Sequence, residues 1–308
     1  MQPLPKDRYA ERTNGRNAGL IFNKFVDEWP AEALNGIGDR KKDWLEKFSG
    51  PGVNTAKYAK RIKNLVENTQ GAVENFTTTG PFTTGMGLPH GVENGFLWHH
   101  TLGCPYLPAS SIKGMVRAWV EHWQGDSTRA GELFGRDSTD NPTVGRVIIH
   151  DAIPTKTVEL YTEIITPHAG DWRLNGQTPP SDWLSPTPIP FLAVKEGAEF
   201  QFAISPRSNA EKDDLKDAFE YLKEALEWIG AGAKTAIGFG RFKSDSEKQD
   251  EESAWRIGLQ VGDTANFYRQ HVVIVDLKDG KAQVKNIKKD RGLGWKELSK
   301  LKPWTGVT

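Results

Sequence analysis

The stretch that most constrains this chain runs from Gly230 to Phe242 and reads Gly-Ala-Gly-Ala-Lys-Thr-Ala-Ile-Gly-Phe-Gly-Arg-Phe. Four glycines, a Lys, a Thr and an Arg leave little that can serve a core. Glycine tolerates positive φ and lets backbone N–H groups come close to a ligand, so a turn carrying Gly232, Lys234, Thr235 and Arg241 reads as a cradle for phosphates. Upstream, Leu215, Phe219, Leu222, Leu226 and Ile229 recur at helical spacing over Asp213 to Ile229; downstream, Phe239 to Lys243 reads as a strand. A nucleotide-binding P-loop is excluded on two grounds: Ala233 stands where that motif needs Gly before Lys, and the turn leads from helix to strand, the reverse of the required order. A tight helix-to-strand connection, with glycines ending the helix, remains open as the structural alternative.

A second stretch, Gly103 to Arg117, supplies a matching feature. Pro108 stops the preceding strand, and Ser110 or Ser111 can cap the helix that begins there. Ile112, Met115, Val116, Trp119, Val120 and Trp123 form a broad apolar stripe, which predicts a core-facing helix. Lys113 and Arg117 are four apart, hence neighbours on another face, near an N-terminus whose free N–H groups favour anions. A solvated pair explains them equally well. Gly114 costs about 1 kcal/mol of helix propensity against Ala, so close approach of packed backbone or of a ligand is expected there.

Around these stretches the chain falls into four segments. Residues 1–71 are expected to be helical and packed on the core, with Asn17 capping a short helix and Tyr58, Ile62 and Leu65 on one face of another. Residues 72–243 read as strand, helix, strand, strand, helix, glycine-rich turn, strand. This predicts an α+β class, a ferredoxin-like (RRM-like) βαββαβ fold with long insertions, one of them from Pro167 to Pro190. Gly95 to Leu102 reads as a strand, and Ile189 to Val194 with Glu199 to Ser205 as a hairpin. Residues 244–253 are a charged linker. Residues 254–308 form a small β-rich extension, with a hairpin around Asp279-Gly280 and a short helix over Trp295 to Leu301.

Composition excludes several classes. Lys plus Arg equals Asp plus Glu at 40 each, so nucleic-acid contact must come from local basic patches rather than from a cationic surface. The one cysteine, Cys104, permits no internal disulfide and fits a reducing, cytoplasmic setting; no run approaches a membrane span, and no membrane partner is expected. The seven histidines show no HExxH motif and no companion cysteines at zinc-ligand spacing, so no metal site and no cofactor are expected. His90 and His168 fall in predicted loops and are the candidates for acid–base work. Asp151 reads as a strand-end turn residue.

Pro105-Tyr-Leu-Pro-Ala-Ser-Ser-Ile-Lys-Gly-Met-Val-Arg117 and the Gly230 to Phe242 turn, in that order and about a hundred residues apart, resemble the RAMP superfamily of CRISPR-associated proteins. Gly87-Leu88-Pro89-His90, Glu93-Asn94-Gly95, His150-Asp151-Ala152-Ile153-Pro154, Thr166-Pro167-His168, Pro188-Ile189-Pro190-Phe191 and Asn17-Ala18-Gly19-Leu20 narrow the resemblance to the sixth-subunit family of type III-B (Cmr) effectors. Ala109 stands where the superfamily often has Gly. The resemblance spans roughly Asn17 to Phe242. It implies a non-catalytic subunit that holds CRISPR RNA (crRNA) toward its 3′ end, meets target RNA indirectly and caps a filament of RAMP subunits. Partners so implied are the backbone RAMP subunits, the small helical subunit and the first Cmr subunit. Carried over by motif, Ser110, Ser111, Lys113, Arg117, Gly232, Lys234, Thr235 and Arg241 are the expected RNA contacts. The competing expectation is a metal-independent RAMP endoribonuclease, acting on crRNA precursor or target RNA with His90 or His168 as the acid.

Overall fold

The computed structural model describes residues 17–25, 40–91, 93–136, 142–167, 188–245, 247, 255–267 and 270–303, with isolated positions 172, 176, 179, 181, 183 and 186. The chain divides into two compact units, Met1–Lys243 and Ser244–Thr308. Both mix or pair their strands antiparallel, and the chain is of the α+β class.

The first unit opens with helices α1 (Ala18–Lys24), α2 (Lys41–Glu46) and α3 (Ala56–Asn68). Asn17 caps α1 as its sequence position predicts, accepting the Leu20 N–H at 3.0 Å, while its own Nδ2 donates to the His100 carbonyl at 2.6 Å. Helices α1 and α2 join the main core through Phe22, Trp44 and Leu45. In α3 the buried positions are Ala59 and Val66, and Leu65 is 55% exposed, so the inward face lies one residue away from the expected one. Small Ala59 lets the helix sit close to the sheet, where Gln201 donates to its carbonyl at 3.0 Å.

Strand β1 (Ala72–Thr78) follows, then α4 (Ala109–Ala118), α5 (Ser127–Phe134), β2 (Val147–Ile149), β3 (Glu159–Ile165), β4 (Ile189–Val194), β5 (Glu199–Pro206), α6 (Asp214–Trp228) and β6 (Phe242–Ser244). The main sheet has the order β6-β1-β5-β2, with Ile153–Pro154 also paired to β5. Register between β5 and β1 runs from Glu199 opposite Thr77 to Ile204 opposite Ala72. Helices α4 and α6 bury Ile112, Val116, Phe219, Leu222 and Leu226 in one cluster with Phe76, Phe200, Phe202 and Phe242 of the sheet. Each such side chain contributes about 1.5–3 kcal/mol by leaving water.

Three expectations are corrected here. First, β4 and β5 do not form a hairpin with each other: β4 pairs with β3 in a separate sheet, Ile189 opposite Ile165 through Val194 opposite Leu160, and the chain changes sheets across residues 195–198. Both strands are buried on both faces over most of their length, β4 with apolar residues throughout and β5 with Gln201 and Ser205 among its buried positions, which is the mark of burial between layers rather than of a solvated hairpin. Second, 95–102 is irregular, with Phe96 and Trp98 buried and only a Trp98–Pro105 bridge. Third, the stripe on α4 stops at Val120. The helix widens into a π-turn over Trp119–Trp123, which rotates Trp123 outward to 60% exposure, where it stacks on Trp119.

The second unit is a sheet of its own, in the order β10-β9-β8-β7-β11, where β7 is Thr264–Phe267, β8 Gln270–Lys278, β9 Lys281–Asn286, β10 Arg291–Glu297 and β11 Lys302–Pro303. The Asp279-Gly280 hairpin forms as its sequence predicts, both residues having positive φ. Trp295 to Leu301 is not a helix: β10 continues to Glu297, and only Leu298–Lys300 makes a 3₁₀ turn. Alternation of Ala282 and Val284 with Lys281, Gln283 and Lys285 on β9 sets the register that carries Trp295 into the neighbouring strand.

Candidate nucleic-acid interface

The N-terminus of α4 is built by residues distant in sequence. Pro108, at φ −62° and ψ 143°, is the N-cap and offers no side-chain acceptor. Neither serine caps the helix. The Asp151 carboxylate does so from the end of β2, accepting the Ala109 N–H at 2.7 Å. Ser110 and Ser111 are thereby left exposed, together with Lys113 and Gly114. A Cβ at Gly114 would meet nothing within 4 Å, so none of the described residues packs there. Arg117 is engaged within the fold: its Nε donates to Glu121 Oε1 at 2.8 Å and its Nη1 to the Gly135 carbonyl at 2.9 Å.

The glycine-rich stretch is stitched down rather than loose. Gly230 ends α6 at φ +72°, its N–H bonding the Ala225 carbonyl. Ala231 N–H donates to Gly240, Gly240 N–H to Pro81 and Ala233 N–H to Thr83. A Cβ on Gly232, at φ +85°, would collide with the Thr83 carbonyl oxygen, so this glycine is required by the protein's own backbone. Phe239 is the anchor: it packs with Phe191 and Ala193 of β4, flanked by Met86 and Tyr161. Arg241 is also internal, donating to the carbonyls of Glu227 at 3.1 Å and Thr235 at 3.4 Å. What projects is the tip. Lys234 sits in the left-handed region at φ 65°, a 3₁₀ turn follows over Thr235–Ile237, and Ala236, Ile237 and Gly238 are exposed.

These two motifs meet across a cleft of about 360 Å³. Ser111 and Met115 of α4 form one wall, Gly230 to Ala233 another, and Gly85 to Leu88 a third. Of the expected contacts, Ser111 and Gly232 line it; Ser110, Lys113, Arg117, Lys234, Thr235 and Arg241 do not. The third wall is what the sequence reading left out of the site, although its Gly-Met-Gly-Leu run was visible as a glycine-bearing loop between β-like segments.

The histidines have structural surroundings. His90 Nε2 lies 2.9 Å from the Phe22 carbonyl and its ring stacks on Phe22, with centroids 4.3 Å apart. Burial lowers its pKa, against the opposing pull of that carbonyl. Burial also lowers the pKa values of His99 and His150, and for both the Asp151 carboxylate acts in the raising direction. His168 lies outside the described residues. Among the described residues no group of three or more His, Cys, Asp or Glu could hold a metal ion, and no helix is long and apolar enough to cross a membrane.

The motifs, their order and the elements that carry them coincide with a family model, that of the RAMP superfamily, which matches residues 75–243. This chain belongs to the RAMP superfamily. Within it, the chain is 37% identical over 246 residues to the CRISPR system Cmr subunit Cmr6 of Pyrococcus furiosus, covering 60% of this chain and 71% of that protein. It is 24% identical over 206 residues to the Cmr6 subunit of Saccharolobus solfataricus, covering 64% and 66%. A chain in the cryo-EM structure of the type III-B Cmr-beta bound to cognate target RNA superposes with a TM-score of 0.53 at 24% identity, over 66% of this chain and 70% of that one, which speaks for a shared fold. The RAMP match contains α4, the cleft and the glycine-rich stretch, and stops before the second unit.

Proposed function

We propose that this chain is a non-catalytic RNA-binding subunit of a type III-B Cmr effector, holding crRNA toward its 3′ end and capping a filament of related RAMP subunits. The observation that carries this reading is the convergence of Ser111 on α4 with Gly230 to Ala233 in one cleft, in a homologue of Cmr6. Exposed serine hydroxyls and the Lys113 and Lys234 ammonium groups around open backbone suit phosphate and ribose contacts, which position RNA without reading its sequence. Target RNA is then met through the guide. The backbone RAMP subunits, the small helical subunit and the first Cmr subunit are the proposed neighbours. The main sheet supports a ferredoxin-like reading, since β1, α4, β2, β5, α6 and β6 follow the βαββαβ order with the last strand beside the first.

The structure refines which residues to test. Arg117 and Arg241 hold the fold and would confound an RNA assay, whereas Lys113 and Lys234 do not cap or bridge in this way. In complexes purified through a tag on this chain, Lys113→Ala with Lys234→Ala is expected to lower the guide RNA retained per complex while the subunits still co-purify. Unchanged guide content would remove the site. Specific cleavage of guide precursor or target RNA by the purified chain, abolished by His90→Ala with His168→Ala, would replace the reading with the ribonuclease one.

A further inference from the structure

The RAMP match ends at Lys243, and the unit beyond it has its own chemistry. Residues 255–308 of this unit contain eleven Lys and Arg against five Asp and Glu, after a stretch, residues 244–254, that holds one Lys and five Asp and Glu. Among the described residues none of that basic surplus enters the core of this unit, which is Leu259, Ala265, Val272, Ile274, Ala282, Val284 and Leu301. Lys278, Lys281, Lys288, Lys289 and Arg291 are all exposed. Two of these cations stand in exposed pairs, Lys285 with Asp290 and Lys281 with Glu297, of the kind a polyanion displaces easily.

Within this basic surface stands an aromatic side chain that the fold does not use. Trp295 is 43% exposed and takes no part in the core of the unit. It pairs across β9 with Gln283, the exposed residue between buried Ala282 and Val284, so it lies on the outer face with Lys281 and Lys285. Gly292 and Gly294 precede it on its own strand, Gly294 at φ +76° where the register shifts, and a Cβ at either would meet nothing within 4 Å. A half-bare indole among cations and glycines is poorly explained by stability. An acidic protein surface would use the cations and leave the indole idle; a proline-rich peptide would use the indole and leave the charge idle. A single nucleic-acid strand uses both, bases stacking on the aromatic ring while phosphates meet the lysines. A duplex, whose bases are already stacked, would not.

We propose that the second unit is an auxiliary module for single-stranded RNA, in which Trp295 stacks a base and Lys288, Lys289 and Arg291, in and after the turn leading into β10, hold the adjoining phosphates. The choice of RNA as the strand rests on the function proposed above; the stacking and phosphate contacts rest on this unit alone.

The test uses the full chain and a fluorescent oligouridine of about twelve nucleotides, a length within the range that small single-strand modules cover. Trp295→Ala is expected to weaken binding about tenfold, and Trp295→Phe to keep most of the affinity, which separates stacking from damage to the fold. Lys288→Gln, Lys289→Gln and Arg291→Gln together should flatten the dependence of log Kd on log salt by about 2, at roughly 0.7 per phosphate contact. Affinity unchanged in Trp295→Ala, equal loss in Trp295→Phe, or equally effective competition by duplex RNA or by polyglutamate would overturn the proposal. Loss confined to Lys113→Ala with Lys234→Ala would also overturn it while leaving the first site standing. The converse pattern would leave this inference in place and remove that site.

Discussion

Asp151 accepts the backbone N–H of Ala109 at 2.7 Å, across forty-two positions of sequence, and so places a carboxylate at the N-terminus of the helix that presents Ser111 and Lys113. Two demands compete at this point. A capped helix is stable, but a negative charge at its positive end weakens that end for phosphate. Asp151→Asn keeps an oxygen acceptor and drops the charge, so RNA affinity is expected to rise. Asp151→Ala loses the cap and about 1 kcal/mol of stability, read as a lowered Tm. In both variants the pKa values of His99 and His150 should fall further, since each loses the carboxylate that was raising it; proton titration by NMR reads this directly.

Glycines at two nearby places should respond oppositely to alanine. Gly232→Ala meets the Thr83 carbonyl oxygen and an unfavourable φ, and should unfold or displace the turn. Gly114→Ala enters open space in a helix and should stabilise by about 0.5–1 kcal/mol. If RNA approaches α4 closely, that more stable variant will bind the guide less well, and Gly114→Leu still less. Thermal melts and guide retention measured on the same preparations separate the two effects.

Lys234 holds a left-handed conformation that costs a non-glycine residue about 1 kcal/mol. Lys234→Gly should therefore leave the Tm unchanged or raised while it lowers guide retention. Arg241→Ala should do the reverse, lowering the Tm by releasing the Glu227 and Thr235 carbonyls. A variant of Lys234 that retained full guide occupancy would exclude it as a contact.

Asp214 is fully buried and lies 2.8 Å from Arg129, whose other nitrogen meets Asp217 at 2.6 Å. Removing the cation leaves this buried carboxylate with only the Glu211 N–H at 2.7 Å and the more distant Arg146, 3.8 Å away. Arg129→Met is expected to cost about 3–5 kcal/mol, and Arg129→Met with Asp214→Leu to recover much of it. Urea denaturation of the two variants measures the coupling.

His90, His99 and His150 each have a pKa lowered by burial, so the unfolded chain takes up protons that the folded chain refuses. Their stabilising effect is complete above the unfolded value of about 6.5 and is lost progressively as pH falls below it. Stability should accordingly decline between about pH 7 and pH 5, and His90→Phe should make that decline shallower.

Much of the fold was legible because its signals are local. The spacing of Ile112, Val116, Phe219, Leu222 and Leu226 identifies two core-facing helices, and the Asp279-Gly280 pair marks a hairpin. What escaped depends on partners far apart in the chain. Two apolar strands four residues apart look like a hairpin, and only the presence of β3 and β1 as separate partners divides them between sheets. The capping role of Asp151 could not be seen from Ser110 and Ser111, which satisfy the local rule yet stand free. In the glycine-rich stretch the residue types identified a special backbone, but its hydrogen bonds to Pro81 and Thr83 explain most of the glycines, leaving the exposed tip and the Gly232 wall for a ligand. Arg117 and Arg241 look like RNA contacts in sequence because a cation committed to carbonyl groups has the same letter as a free one.

The crossing between β4 and β5 fixes more than topology. Lys195 N–H bonds the Glu159 carbonyl in one sheet, and two residues on Gly197 N–H bonds the Thr78 carbonyl in the other. The corner thus works as a splice pinned to both sheets within three residues. A residue added or removed between these two anchors must either break one of them or slip an adjoining strand, and a slip by one would turn that strand's side chains to the opposite face. Tags, fluorophores and cross-linking handles belong elsewhere on this subunit, and a homologue altered in length at this corner would have had to rebuild both layers together.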